Sequence, residues 1–338
     1  MKRSRALAPL GALLLVAAAC AAPRQAAPTQ TVPGTAAASA TPNFEGKTLN
    51  IVTGGTGGVY IVYGAGLADL LNKKLKVAAS PQSTTASVDN MKLIRDGKAD
   101  LAFVLADTAY DAVSGKGSFA TETKADAKNL AVLYNNFTHV IAREDGTIKT
   151  IADLKGKRVS MGAAGSGTEI IGNRTLEAYG LDPAKDIQRE RLSVADSATA
   201  LKDNKIDAFF WSGGLPTAAV NDLASSTKLR FLDQADGIKK MADKYGPFYF
   251  NATIPKGTYG LAADVTVSGV ANLLVVSSKF DAAFAQAILR TMFDSVSELG
   301  TIHAEGKNLK LETAVEGSPI DYHQGAIDFY KSKGVWKK

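Results

Sequence analysis

The chain has 338 residues, 46% of them apolar and 21% charged, which is enough for two ordinary domains with a sizeable buried core. Its formal charge is +6; Lys2, Arg3 and Arg5 carry three of those charges in a targeting segment, so removing it leaves about +3. That remainder is scattered, with no basic stripe interleaved with aromatics, which argues against nucleic acid as a partner.

The N-terminus reads MKRSRALAPLGALLLVAAAC. A basic start, a short apolar run from Leu10 to Ala19 and small residues make residues 1–19 a secretory signal, too short to span a membrane as a helix. No other stretch approaches eighteen unbroken apolar residues, so the rest of the chain is expected to be soluble. Cys20 is the only cysteine, and its place after Val16-Ala17-Ala18-Ala19 resembles a bacterial lipobox, with Ala17 where leucine is usual. Only a cysteine sulfur at the cleavage point can form the thioether to diacylglycerol, whose two acyl chains give stable anchoring. The alternative is a plain signal peptide with an incidental cysteine. Residues 20–44, rich in Ala, Pro and Thr, follow as a disordered tether. Its roughly 23 residues have a root-mean-square reach of ~25–30 Å. The protein is therefore expected to be exported to the periplasm or the outer face of the cytoplasmic membrane and held there through Cys20.

The body opens with LNIVTGGTGGVYIVYGAGLADLLNK, Leu49 to Lys73. A strand-like run, a turn of four glycines and two threonines at Thr53–Gly58, and a helix-like run follow one another. The turn fits neither a Walker loop, which needs a closing Gly-Lys-Ser/Thr, nor G-x-G-x-x-G. About 110 residues later the chain repeats the plan in GKRVSMGAAGSGTEIIGNRTLEAYGLD, Gly156 to Asp182. Gly46-Lys47 matches Gly156-Lys157, Leu49-Asn50-Ile51 matches Val159-Ser160-Met161, and Gly55-Thr56-Gly57 matches Gly165-Ser166-Gly167. A second echo pairs Asp96–Val104 with Asp203–Trp211; helices are expected before them at Ser87–Arg95 and Ser193–Lys202. A period this long means two similar domains rather than a solenoid.

The fold class expected is α/β, two-lobed, with a ligand cleft between the lobes. A long strand-like segment from Leu130 leaves the first lobe, and the return lies within Phe248–Val276. Lobe one takes residues 45–138 plus 252–338, with helices over Asp281–Ser297 and Tyr322–Tyr330; lobe two takes residues 139–251. Ligands of open α/β sheets sit beyond the carboxyl ends of strands. Both Gly-rich turns lie at such ends, where unpaired N–H groups and helix dipoles point outward. A cleft between them suits a small anionic or zwitterionic ligand. Thr53, Thr56, Ser166 and Thr168 are candidate hydroxyl contacts, and Tyr60 can pack against the ligand's stem. Each has a second role open to it: Ser166 with Glu169 forms a capping box, the glycines permit positive φ and close packing, and Tyr60 can be core.

Thr53-Gly54-Gly55-Thr56-Gly57-Gly58-Val59-Tyr60, Gly165-Ser166-Gly167-Thr168-Glu169, Leu176-Glu177-Ala178-Tyr179-Gly180-Leu181 and Phe210-Trp211-Ser212-Gly213-Gly214-Leu215-Pro216 together resemble the TAXI family of TRAP-transporter solute receptors, from about Gly46 to the C-terminus. The resemblance implies a periplasmic receptor that captures a small carboxylate or amino acid, often glutamate, and delivers it to a TRAP-type membrane permease. The ligand contacts it implies are Thr53, Gly54, Thr56, Gly57 and Tyr60; Ser83 and Thr84; Asp107; Gly165, Ser166, Gly167 and Thr168; and Trp211, Ser212 and Gly213. Ile61 stands where a second aromatic often follows, and Leu105 where relatives often have Gln. A ligand sensor or the receptor of an ATP-driven importer is the alternative. A secreted enzyme would need an acid, base or nucleophile in the cleft. The three histidines, His139, His303 and His323, lie in the crossover and the C-terminal segments, and no H-x-x-x-H, C-x-x-C or G-x-S-x-G occurs. No enzyme activity, cofactor or metal is expected, and the body is expected to be monomeric.

Lipid anchoring has a direct test. Cys20→Ser should shift the protein from the membrane fraction to the soluble fraction and remove the mass of the diacylglycerol. Unchanged partition and mass would refute the anchor.

Overall fold

The structure, a computed structural model, describes residues 43–337. The signal segment, Cys20 and all but the end of the tether lie outside the described residues. Phe44, placed by sequence at the end of the tether, is buried and stacks on Phe284 with ring centroids 4.6 Å apart. The packed body therefore begins at that ring.

Two half-sheets of like design follow. In the first, β1 (Thr48–Val52) leads through the Gly-rich turn into α1 (Val59–Leu75), then β2 (Ala78–Gln82), α2 (Ser87–Arg95), β3 (Leu101–Leu105) and α3 (Ala106–Ser114). A long strand, β4 (Ala127–Arg143), carries the chain away. The second half repeats the plan with β5 (Arg158–Ser160), α4 (Gly167–Ala178), β6 (Gln188–Glu190), α5 (Val194–Lys202) and β7 (Ala208–Gly213), and adds α6 (Ala218–Ala224), β8 (Leu229–Phe231) and α7 (Ala235–Tyr245). The chain returns through β9 (Phe250–Ile254) and β10 (Val265–Ser277). It ends in α8 (Ala282–Asp294), α9 (Val296–Ile302), α10 (Leu311–Ala314) and α11 (Gln324–Ser332).

The strand order is β2-β1-β3-β10-β4-β7-β5-β6, with β8 on β4 and β9 on β10. The order is a mirror: β1 lies between its parallel neighbours β2 and β3, and β5 between β6 and β7. The echoes in the sequence have the same physical role in each half. Gly46 and Gly156 both adopt φ near 75° and donate to the carbonyls of Lys76 and Asp186. Asp100 and Asp207 open the neighbouring strands and accept the backbone N–H groups of Asn50 (2.7 Å) and Arg158 (2.8 Å).

The halves join through β4 and β10, antiparallel from Ala127–Ser277 to Phe137–Gly269. A strand of 17 residues spans roughly 55 Å, far beyond the usual strand. One end of the pair borders β3; the other ends carry β7, β8 and β9. Where the ladder stops, the buried Gln234 takes over. Its amide donates to the Thr138 carbonyl (2.6 Å) and accepts from Ser268 N–H (3.2 Å), so both strands remain satisfied without touching.

Two expected helices differ in extent. The run over 281–297 breaks at the buried Ser295, which closes α8 and caps α9. Asp281 is an N-cap, accepting from Phe284 N–H (2.7 Å). The C-terminal helix starts at Gln324 because His323 caps it, its ring nitrogen accepting from Gly325 N–H (3.2 Å).

His139 is fully buried on β4 among Phe231 and Tyr259, with Nδ1 2.8 Å from the Phe137 carbonyl. Burial pushes its pKa down from the ordinary 6.5 to about 4, against the pull of the Phe137 and Trp211 carbonyls. A depressed folded-state pKa gives stability that is present above the unfolded value and lost as pH falls through the folded one. The protein should thus lose roughly 3 kcal/mol through His139 between pH 6.5 and about 4. Chemical denaturation should show a shallower acid slope in His139→Gln by that amount; equal slopes would place the ring in contact with water.

Candidate functional site

The two Gly-rich turns face each other across a cavity of about 140 Å³. Its walls are assembled from strand ends. Gly54, Gly55, Gly58, Val59 and Tyr60 come from the β1–α1 turn, Thr84 to Ser87 from the β2–α2 turn, and Leu105 from the end of β3. Across from them stand Gly162, Ala163 and Ser166 to Thr168 of the β5–α4 turn, Ser193 and Val194 at the start of α5, and Trp211 to Gly213 at the end of β7.

Five helices therefore begin at this cavity: α1, α2, α3, α4 and α5, capped by Gly58, Ala86, Leu105, Ser166 and Ser193. Helix starts in general carry unpaired N–H groups and about half a positive charge; here part of that donor set is met within the protein, Val88 and Asp89 by the Gly165 carbonyl, Thr108 by Asp107, Glu169 by Ser166 and Asp196 by Ser193. No Asp, Glu, Lys, Arg or His lines the cavity. Its hydrogen-bonding side chains are hydroxyls and the Trp211 indole. Ser212 is buried, and its Oγ has no protein partner, while its N–H donates to Thr168 Oγ1 (3.2 Å).

Glycine is needed where the halves approach most closely. A Cβ on Gly58 would stand 2.9 Å from the Trp211 ring, and one on Gly167 would stand 2.6 Å from Leu105 Cδ1. The rim is closed by backbone contacts: Val88 and Asp89 N–H donate to the Gly165 carbonyl (3.2 and 3.3 Å), and Ala219 N–H to that of Gly57 (3.3 Å). On the far rim the buried Glu305 accepts from Leu215 N–H (2.6 Å), and burial raises its pKa.

Of the residues named from sequence, Gly54, Tyr60, Thr84, Ser166, Gly167, Thr168, Trp211, Ser212 and Gly213 line the cavity. Tyr60 has both of the roles open to it: it is wall and core at once, 8% exposed, with its ring against Phe103 and its hydroxyl accepting from Asn136 Nδ2 (3.3 Å). Ser166 also caps α4, accepting from Glu169 N–H (3.1 Å); the Glu169 carboxylate reaches back to Gly165 N–H rather than to Ser166.

Thr53, Thr56, Gly57, Ser83, Gly165 and Asp107 are not in the cavity wall. Thr53 is fully buried, donates to the Gln82 carbonyl (2.8 Å), and so splices β1 to β2. Thr56 is exposed at the turn's tip. Gly57 packs toward Ala219, and Ser83 braces the Gly54 carbonyl (2.9 Å). Gly165 spends its carbonyl on α2. Thr85, Ser87, Ser193 and Gly162 line the cavity without having been named from sequence. The legible signal for Ser87 and Ser193 was their place at the start of expected helices.

Asp107 belongs to a buried ionic cluster beside the cavity. Its Oδ2 accepts from Tyr249 OH (2.6 Å) and lies 3.5 Å from Arg174, while Arg174 donates to Asp111 (2.5 Å) and to Tyr249 OH (2.8 Å). Asp107 and Asp111 ride on α3 and Arg174 on α4, so the cluster joins the two halves. Burial pushes the Asp111 carboxyl up, and Arg174 limits the rise.

This architecture, two α/β lobes with a cavity between them spanned by two long strands, is the two-lobed periplasmic-binding-protein fold. The chain belongs to the NMT1-like family, whose pattern matches residues 51–334. A solved structure of a periplasmic transporter is similar over 85% of this chain and 92% of its own, at 12% identity and a TM-score of 0.52. A protein of Bordetella bronchiseptica RB50 is similar over 84% and 89%, at 18% identity and a TM-score of 0.51. The periplasmic aliphatic sulphonate binding protein SsuA of Escherichia coli is similar over 86% and 94%, at 19% identity and a TM-score of 0.47. Among the described residues no group of His, Cys, Asp and Glu could hold a metal ion, and no helix is long and apolar enough to cross a membrane.

The ionic cluster sets a stability test. Arg174→Ala strands Asp107 and Asp111 without a cation in a buried site, which costs about 3–5 kcal/mol. Urea unfolding should show that loss. A loss under about 1 kcal/mol, the range of an exposed pair, would mean water reaches the carboxylates.

Proposed function

We propose that this protein is an extracytoplasmic solute receptor, tethered by lipid at Cys20, that captures a small carboxylate-bearing solute between its lobes and delivers it to a TRAP-type membrane importer. The observation that carries the proposal is the convergence of five helix N-termini on one cavity with no charged side chain in its wall. Each terminus favours an anion by ~0.3–1 kcal/mol when exposed and up to ~2 kcal/mol when partly buried. A site of this kind needs no fixed cation, and the ligand's own charge is the only full charge in it. The periplasmic transporter of similar fold fits a transport role. The TRAP importer rests on the Gly-rich and Trp211–Pro216 motifs of the sequence.

The cavity contains no residue pair for acid–base or nucleophilic chemistry, since its hydroxyls have no His, Lys or carboxylate beside them in the wall. This lining supports a binding role. The contacts assigned to the ligand are the N–H groups of the α1 and α4 turns, Thr84, Thr168 and Ser212, with Tyr60 and Trp211 as walls. Opening would flex β4 and β10, with lobe one formed by residues 45–138 and 252–338 and lobe two by residues 139–251.

Ser212→Ala removes a hydroxyl that has no partner in the protein, so the variant should keep its melting temperature. A hydrogen bond to a charged ligand is worth ~1.5–3 kcal/mol, so carboxylate affinity should fall roughly ten- to a hundredfold. Calorimetry against carboxylates, neutral amides and sugars reads this, and solution scattering should show contraction on binding. A protein that binds only neutral or cationic solutes would refute the carboxylate reading.

A further inference from the structure

The cavity also specifies what the rest of the ligand must be. Its polar half is the ring of helix starts with Ser212, Thr84 and Thr168. Its other half is apolar: Val59, Tyr60, Leu105, Val194 and Trp211. The polar atoms of the two aromatics are turned to protein, Trp211 Nε1 donating to Thr217 Oγ1 (2.8 Å) and Tyr60 OH accepting from Asn136. What faces the cavity from them is ring.

The nearby carboxylates are already committed. Asp107 is fully buried, with Oδ1 on Thr108 N–H (2.6 Å) and Oδ2 on Tyr249. Asp89 accepts from Thr85 Oγ1 (2.8 Å), and Glu305 from Leu215 and Asn308. None of the three lines the cavity. An ammonium group on the ligand would find no carboxylate in the cavity wall to pair with. Burying an unpaired charge is among the costliest events in a protein interior. The volume sets the size. A cavity of about 150 Å³ holds benzene, so 140 Å³ holds about six to eight non-hydrogen atoms.

We propose that the cavity selects monocarboxylates of about this size whose remainder is uncharged and largely apolar, as plain, 2-hydroxy or 2-keto acids, and rejects the corresponding 2-amino acids. This rests on the carboxylate reading of the site and adds that the solute is not a zwitterion. Ser212 stands in the wall beside Thr168, and its buried Oγ has no partner in the protein.

The test is calorimetry on the full-length protein with matched sets of branched and straight-chain acids. One set is isovalerate, 2-hydroxyisovalerate, 2-oxoisovalerate, valine and isovaleramide; glutamate is included as a larger zwitterion. At least one acid should bind, and valine should bind at least about a hundredfold more weakly than the tightest acid of its set. Valine or glutamate equalling the acids would overturn the selectivity and leave the carboxylate reading standing. Isovaleramide equalling the acids would overturn the carboxylate reading itself. If no acid in any set binds while other anions do, the assignment of size and class is wrong.

Discussion

The antiparallel pairing of β4 with β10 is the constraint on which the rest of this structure depends. It is the one element shared by both lobes, and it runs unbroken from Ala127–Ser277 to Phe137–Gly269, with bulges at Asn272–Leu273 and Leu274–Val275. Bulges interrupt the ladder locally and sharpen its twist, which lets the pair turn between the two half-sheets. Beyond it, Gln234 substitutes a side-chain amide for the missing ladder bonds. A buried strand end left open would cost the desolvation of each unpaired group. Gln234 spares the crossing that cost at Thr138 and Ser268.

Because the crossing joins two copies of the same β-turn-α plan head to head, the carboxyl ends of both parallel sheets point at one space. The electrostatics of the site follow from that topology rather than from any charged residue. Helix starts that would each be a weak anion site in water are gathered around one cavity, where their fields are screened less than in open solvent. The close approach of Gly58 to Trp211 and of Gly167 to Leu105 is what makes the space small.

The ionic cluster of Arg174, Asp107, Asp111 and Tyr249 shows a different use of charge. It lies outside the cavity, and each member is satisfied by another. Charge is thus used between the lobes for fixing how α3 meets α4, and is kept out of the cavity wall. Glu305 has a similar part on the opposite rim, where a carboxylate bonds to the turn at Leu215.

The amino-acid sequence by itself determined the two-lobed α/β plan, because periodic apolar runs, Gly-rich turns and the Asp100/Asp207 echo are local signals that report on neighbours a few residues away. It also marked both turns that face the cavity, including Ser166, Gly167 and Thr168. Tertiary structure alone decided which atoms of those turns face inward. Thr53 and Thr56 belong to one turn, three residues apart, yet one is spent on the Gln82 carbonyl and the other points to solvent. Asp107 sits two residues past Leu105, yet Leu105 is wall and Asp107 is locked to Tyr249, 142 residues away. Side-chain direction at a strand end depends on the twist of the sheet and on partners distant in the chain. No local pattern encodes those, so the location of the site was legible in the sequence and its inner surface was not.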